Sequence, residues 1–295
     1  MTELVTSEVR LMPTSSLLRT VRANPLLGVA AALGLTLVLL ALLAPVLAPH
    51  PGDAGTATHP LDTFLPPSAD HLFGTDPVGR DMFTRVLYGA RVSLAVSAVV
   101  ISLSILIGLP VGVVAGTLGG IADTVLMRIT DIFLAFPALL LALALVAVLG
   151  PSVTNATIAI TITWWPWYAR LARGQAASVA GRPFVVACRV LGLSPARTII
   201  RHVLPNSLTP VIVQASADVG GVILTSAALS FLGLGAQDPT PEWGLMVNQG
   251  QAYLTTQWWL VTFPGSAILI TALAFNLLGD GLRDMLDPRT RARQP

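Results

Sequence analysis

Few side chains in this sequence are equipped for covalent chemistry. All seventeen basic residues are arginine and none is lysine. A Walker A phosphate site, a lysine Schiff base and a Ser–Lys dyad are therefore excluded. The single cysteine, Cys188, permits neither an internal disulfide nor a Cys-rich metal site. Of the four histidines, His50, His59 and His71 fall in a Pro- and Asp-rich stretch with Asp53, Asp62 and Asp70, and His202 stands apart. Imidazoles with carboxylates have the donor chemistry for Ni²⁺ or Zn²⁺. The separations of nine and twelve residues match no compact ligand spacing, so no metal site is expected. Asp218 and Asp280 interrupt apolar runs. An ionisable group within lipid costs a few kcal/mol and marks a function by default. Asp218 could line a pathway and meet an amine or a cation, or it could pair with a polar group inside a helix bundle. An intramembrane aspartyl dyad of Asp218 with Asp280 lacks the Gly-x-Gly-Asp context, since the residues are Leu277-Leu278-Gly279-Asp280.

The elements that must position these groups follow from composition. Of 295 residues, 54% are hydrophobic and 11% charged, with a mean hydropathy of +0.74. Soluble domains carry about 25% charged residues, so this chain could not cover a water-facing surface. An all-α polytopic membrane protein is expected. A net charge of +2, with basic residues spread along the chain, speaks against nucleic acid. A helix needs about 20 apolar residues to cross a bilayer. Six stretches qualify: 25–48, 90–117, 129–150, 153–172, 207–232 and 263–284. The fourth is the most polar, carrying Thr161, Thr163 and a Trp-Trp-Pro-Trp cluster. Gly150-Pro151 signals a turn before it. The first stretch is longer than a signal-peptide core and reads as an uncleaved anchor. Gly108, Gly112 and Gly116 form a small-residue face for close helix packing, and Pro110 among them permits a kink.

Fourteen of the seventeen arginines flank one set of ends: Arg10, Arg19 and Arg22, Arg128, six between Arg170 and Arg201, and four from Arg283 onward. Arg80, Arg85 and Arg91 lie opposite. This bias places both termini in the cytoplasm. The expected plan is a cytoplasmic tail 1–24, a first span 25–48, an outer segment 49–89, a five-helix core 90–284 with an inner loop 173–206, and a cytoplasmic tail 285–295. A second outer segment, about 233–262, carries Trp243, Trp258 and Trp259, residue types that suit a membrane–water interface.

The inner loop reads as two short helices. Phe184, Val185, Cys188 and Leu191 share a face at helical spacing. Gly192 suits a C-cap, Ser194 an N-cap and Pro195 a first helical position. The second helix is predicted to run to about His202 and to end at Leu204-Pro205-Asn206. Such an Arg-studded pair could dock a protein or bind lipid headgroups.

The motif Ala187-Cys188, Gly192, then nine residues, then His202-x-Leu204-Pro205 resembles the EAA loop of ABC-importer permeases. Val186, Cys188 and His202 replace the family's usual Glu, Ala and Ile. Further stretches resemble C-type permeases of the dipeptide, oligopeptide and nickel family. These are His71-Leu-Phe-Gly-Thr-Asp-Pro-Val-Gly-Arg-Asp81, Arg201-His-Val-Leu-Pro-Asn206, Ala228-Leu-Ser-Phe-Leu-Gly-Leu-Gly235, Pro239-Thr-Pro-Glu-Trp-Gly244 and Phe275-Asn-Leu-Leu-Gly-Asp-Gly-Leu-Arg-Asp284. Ser226 stands where the family usually has Glu.

The resemblance implies one permease subunit of an ATP-driven importer in a bacterial inner membrane, most simply for short peptides. Nickel or another small solute is the alternative cargo, and a proton-coupled carrier using Asp218 is the alternative of another class. Implied partners are a second homologous permease, two ATP-binding subunits holding ATP and Mg²⁺, an extracytoplasmic solute-binding protein and membrane lipid. No cofactor and no catalytic residue are expected in this chain. The loop would seat Ala187, Cys188, Gly192, Leu193, Ile199 and His202 in a groove of the ATPase, with Arg189 and Arg197 pairing to its acids. Asp218, Ser226 and Asn276 are candidates for the pathway. The outer signature holds Gly74, Asp76, Gly79, Arg80 and Asp81, of which Asp76, Arg80 and Asp81 would fix the loop by charge-assisted hydrogen bonds.

Overall fold

The computed structural model describes residues 25–286; the expected terminal tails, 1–24 and 287–295, lie outside the described residues. Among the described residues the chain is helices and irregular connections, with one β-bridge between Thr75 and Asp81. Helix α1 (Pro25–Leu47) buries Leu27, Ala30, Gly34, Ala41 and Ala44. These fall three, four or seven residues apart and form one seam. Helix α2 (Met82–Leu118) has 37 residues, about 55 Å at 1.5 Å per residue, so it runs from one end of the molecule to the other. It begins eight residues before the predicted span because Asp81 caps it: the carboxylate accepts the Thr84 N–H.

Helix α5 (Val153–Ala180) packs along α2 through the three glycines. A Cβ on Gly108, Gly112 or Gly116 would collide with the carbonyl oxygen of Trp165, Ala169 or Arg173 respectively. Both rows repeat every four residues, so the two backbones touch along a shared line that only glycine permits. The expected small-residue face is present. Helix α5 is also the most polar of the long helices, and it is buried in the bundle. Thr157, Thr161 and Thr163 donate to carbonyls one turn back, at 2.7–2.9 Å, which removes their cost.

The predicted third span is not one rod. Helix α3 (Gly120–Leu134) and helix α4 (Ala138–Leu149) meet at 81°. Pro137 lacks an N–H and pushes Phe136 out of the helical region, so the turn breaks there. Among the described residues, four helices are long and apolar enough to cross a membrane, and a fifth if the bent pair counts as one span. Helix α5 is long enough at 28 residues but too polar for that test.

The chain then forms α6 (Pro183–Val190), α7 (Pro195–Thr198), a π-turn over Ile199–Val203 and α8 (Leu204–Phe231). The predicted stop at Leu204-Pro205 does not occur. Residues 195–231 run on as one 37-residue helix. The wider π-turn, with the Leu204 N–H on the Ile199 carbonyl, absorbs the N–H that Pro205 lacks. Helix α9 (Trp243–Gly250) and helix α10 (Trp259–Leu286) complete the fold. Helices α8 and α10 cross closely at Gly220 against Ala272 and at Gly279 against Ala217.

Candidate functional site

The α6–α7 loop is built as a rigid bracket. Gly192 has φ +79°, a conformation that strains any residue with a Cβ. Around it the Leu193 N–H bonds the Cys188 carbonyl and the Gly192 N–H bonds the Arg189 carbonyl, both at 3.0 Å. This is the Schellman pattern that satisfies the last carbonyls of α6. Ser194 Oγ then accepts the Arg197 N–H at 3.4 Å and caps α7. Inward, Val185, Thr198 and Val203 are buried. Outward, Val190 (82% exposed), Leu191 (77%) and Ile200 (67%) form an apolar crest, flanked by Phe184 and Val186. The expected contact residues sit unevenly on this bracket. Ala187, Gly192 and Arg197 are exposed, Cys188, Leu193, Ile199, His202, Leu204 and Pro205 are half-buried, and Ile199 packs on the bundle core. The exposed Arg189 donates from its guanidinium to the Thr117 carbonyl at 3.1 Å, tying the bracket to the last turn of α2. Two ion pairs brace the same end: Asp123 with Arg173, bidentate at 3.0 and 2.6 Å, and Asp131 with Arg170 at 2.6 Å.

Asp218 sits on α8 and accepts from Gln214 Nε2 at 2.8 Å. It lines an open pocket of about 510 Å³ with Trp164, Trp167, Tyr168, Arg170, Leu171 and Gln214. The combination of a carboxylate, an amide and two indole rings can receive an ammonium group by ion pairing and by cation–π contact. The other pathway candidates are elsewhere. Ser226 is buried in α8, and Asn276 is an exposed residue of α10 against Gly220. Neither lines this pocket.

At the opposite end of α2, residues 48–81 and 232–258 fold into a cap. Gly74 and Gly79 have φ +73° and +86°, and a Cβ on Gly79 would strike the His59 carbonyl. Asp76 Oδ1 accepts the N–H groups of Val78 and Arg80, each at 2.9 Å, and Oδ2 accepts Arg80 Nε at 2.6 Å. Arg80 reaches on to Asp238 at 3.1 Å. Burial would push the Asp238 carboxyl up, but the Arg80 guanidinium holds it below the usual range. Arg85, fully buried, lies 3.7 Å from Asp76 and donates to the Asp53 and Pro239 carbonyls. Asp53 accepts the Asp81 N–H at 2.8 Å and faces His59 at 2.9 Å. Glu242 is buried, which raises its carboxyl above the ordinary value against the opposing Leu245 N–H that it accepts. The outer-signature residues thus converge as charge-assisted hydrogen bonds require. That Asp53, Arg85 and Asp238 partner these residues does not follow from the sequence, because nothing local says which charges meet.

The tryptophans correct a second expectation. Trp243 and Trp259 are not interfacial anchors. They are buried in the cap, donating to the Val86 carbonyl at 2.9 Å and the Thr75 carbonyl at 3.2 Å, while Trp258 is half exposed. Nor does loop spacing keep the histidines apart. The cap folds so that His50 and His71 flank Asp81, with the three possible donor atoms within 4.8 Å of one another.

Comparison with known proteins places this architecture. Residues 108–292 match the model of the family described as "binding-protein-dependent transport system inner membrane component". The chain is 48% identical over 273 residues to the probable D,D-dipeptide transport system permease protein DdpC of Escherichia coli strain K12, covering 92% of this chain and 91% of that protein. It is 46% identical over 255 residues to the dipeptide transport system permease protein DppC of Alkalihalophilus pseudofirmus, covering 86% and 83%. Among solved structures, an inward-facing methionine ABC transporter, MetNI, superposes with a TM-score of 0.55 at 20% identity, over 70% of this chain and 98% of that one. That likeness concerns the fold. The chain belongs to the family of inner-membrane components of binding-protein-dependent transport systems.

Proposed function

We propose that this chain is one of two homologous permease subunits of an ATP-driven importer for dipeptides or short oligopeptides, forming half of the pathway. The observation that carries this reading is the crest of Val190, Leu191 and Ile200 on a braced bracket that continues without a break into α8. Apolar residues this exposed beside arginines fit a protein groove. With no lysine for a phosphate site in this chain, ATP and Mg²⁺ belong to two partner ATPases docked there. The bracket end and both termini face the cytoplasm, a reading supported by the arginine bias. The cap faces outward and meets a solute-binding protein. Closure of the ATPase dimer would push the bracket, and the continuous 195–231 helix would carry that motion to Asp218. There the carboxylate and the indoles of Trp164 and Trp167 would receive the peptide's amino group. The cargo class is supported by the names of the DppC and DdpC relatives.

The test is affinity purification in mild detergent, paired with uptake of a labelled dipeptide into membrane vesicles. Wild type is expected to bring down a second permease and Walker A ATPases. Leu191→Glu keeps the second permease, loses the ATPases, and cuts uptake at least about tenfold. Its folding stability stays within about 0.5 kcal/mol, as for other surface changes. A chain that emerges alone, or uptake that survives ATP depletion and collapses with the proton gradient, would overturn the importer in favour of a carrier.

A further inference from the structure

We infer that His50, His71 and Asp81 form a transition-metal site, with Zn²⁺ as the ion their donors suit, stapling the exit of α1 to the start of α2. Two imidazoles and one carboxylate are a common three-ligand set for zinc, with a fourth position left to water. His71 Nδ1 lies 3.0 Å from Asp81 Oδ1, and His50 Nδ1 lies 4.0 Å from Asp81 Oδ2. The two imidazole rings stand 5.1 Å apart at 31°. Hydrogen bonding accounts for His71 against Asp81. It does not account for His50, whose separation is too long for a hydrogen bond. Tetrahedral zinc with bonds of about 2.0–2.2 Å needs its donors roughly 3.3–3.5 Å apart. The three donors lie within 4.8 Å of one another, and the His50 side chain, 43% exposed, is the most exposed of the three.

What favours a site over a chance cluster is the support behind each donor. Asp81 Oδ2 already accepts the Thr84 N–H, leaving Oδ1 toward His71, and the Asp81 N–H is held by Asp53 Oδ2. The His50 N–H donates to Thr84 Oγ1 at 3.3 Å, and the His71 N–H to Ser68 Oγ at 3.2 Å. Thr84 thus touches two of the three ligand residues, its N–H on the Asp81 carboxylate and its Oγ1 on the backbone N–H of His50. The exposed His50 edge is the way in from solvent.

The experiment uses the full chain with a tag free of histidine, purified in detergent, stripped with chelator and titrated with Zn²⁺ alone. The expected result is one equivalent bound per chain and a Zn²⁺-dependent rise in Tm. Co²⁺ should give a visible absorption that Zn²⁺ displaces. His50→Ala, which breaks no hydrogen bond of that ring, and His71→Ala should each weaken Zn²⁺ binding at least about tenfold. His59→Gln, from the same segment, should leave it unchanged. The metal-dependent increment in Tm, not Tm itself, separates a lost ligand from a loosened cap. Equal Zn²⁺ affinity in His50→Ala and wild type, the absence of any increment in wild type, or loss of binding in His59→Gln would overturn the assignment.

Discussion

At one end of α2 the charged groups are buried and paired, and at the other the apolar groups are exposed. In the cap, Asp76, Arg80, Arg85 and Glu242 are all at most 5% exposed, and Asp76 pairs with Arg80 at 2.6 Å and lies 3.7 Å from Arg85. In the bracket, Val190 and Leu191 are more than three-quarters exposed, although Arg189, Ser194 and Gly192 hold the backbone fixed. The cap buries its charged groups inside the chain, whereas the bracket holds exposed apolar residues on a fixed backbone. Stability should therefore be concentrated at the cap and along the α2–α5 seam, and sensitivity to partners at the bracket.

That contrast can be broken in order of expected effect. Asp76→Ala removes the carboxylate beside buried Arg85 and one of the two that pair with Arg80. Breaking a buried pair in this way costs about 3–5 kcal/mol, so thermal unfolding should show the greatest loss here. Next is the seam. Gly112→Ala puts a methyl into the Ala169 carbonyl and should cost about 1–3 kcal/mol. Gly174→Ala on α5 meets nothing within 4 Å and should stabilise by up to about 1 kcal/mol, the helix propensity difference. A pair of changes with the same sign would break the close-approach account. At the bracket, Gly192→Ala meets open space but keeps φ +79°, so its cost is the backbone term alone, about 1–2 kcal/mol. Hydrogen exchange should locate that loss in 183–198, with the cap unchanged.

The smallest effect is a pH dependence. The His59 imidazole is raised above its ordinary value by the hydrogen bond and charge of Asp53. A raised folded value means the protonated ring stabilises the cap, fully below the unfolded value near 6.5 and no longer once pH passes the folded value. Tm should therefore decline as pH rises through neutrality, and His59→Gln should flatten that slope.

Much of this was legible beforehand because it is local. The Gly192 cap, the Ser194 cap and the glycine row of α2 each follow from a few neighbouring residues and the helical repeat. The break at Phe136-Pro137 carried an equally local signal, but hydrophobicity alone read through it. Pro205 points in the other direction: a proline that ends most helices is accommodated here by a π-turn, with Val203 and Ser207 buried on either side of the proline. The bracket's outward face was legible as amphipathic, yet periodicity could not say which side the bundle would claim. It took Val185 and left Leu191.

The sequence by itself determined the helical membrane architecture, the absence of a phosphate-binding lysine and the capped loop, because hydropathy, composition and capping are properties of short stretches. Only the tertiary structure decided which charges meet. Asp53 and Asp81 lie 28 residues apart and Arg80 and Asp238 158 apart, and burial of Asp53, Arg80 and Asp81 makes each need a partner that sequence distance does not reveal. The same folding brings His50 and His71 to Asp81, and turns Trp243 and Trp259 inward, because the cap can bury an indole wherever a backbone carbonyl waits for its N–H.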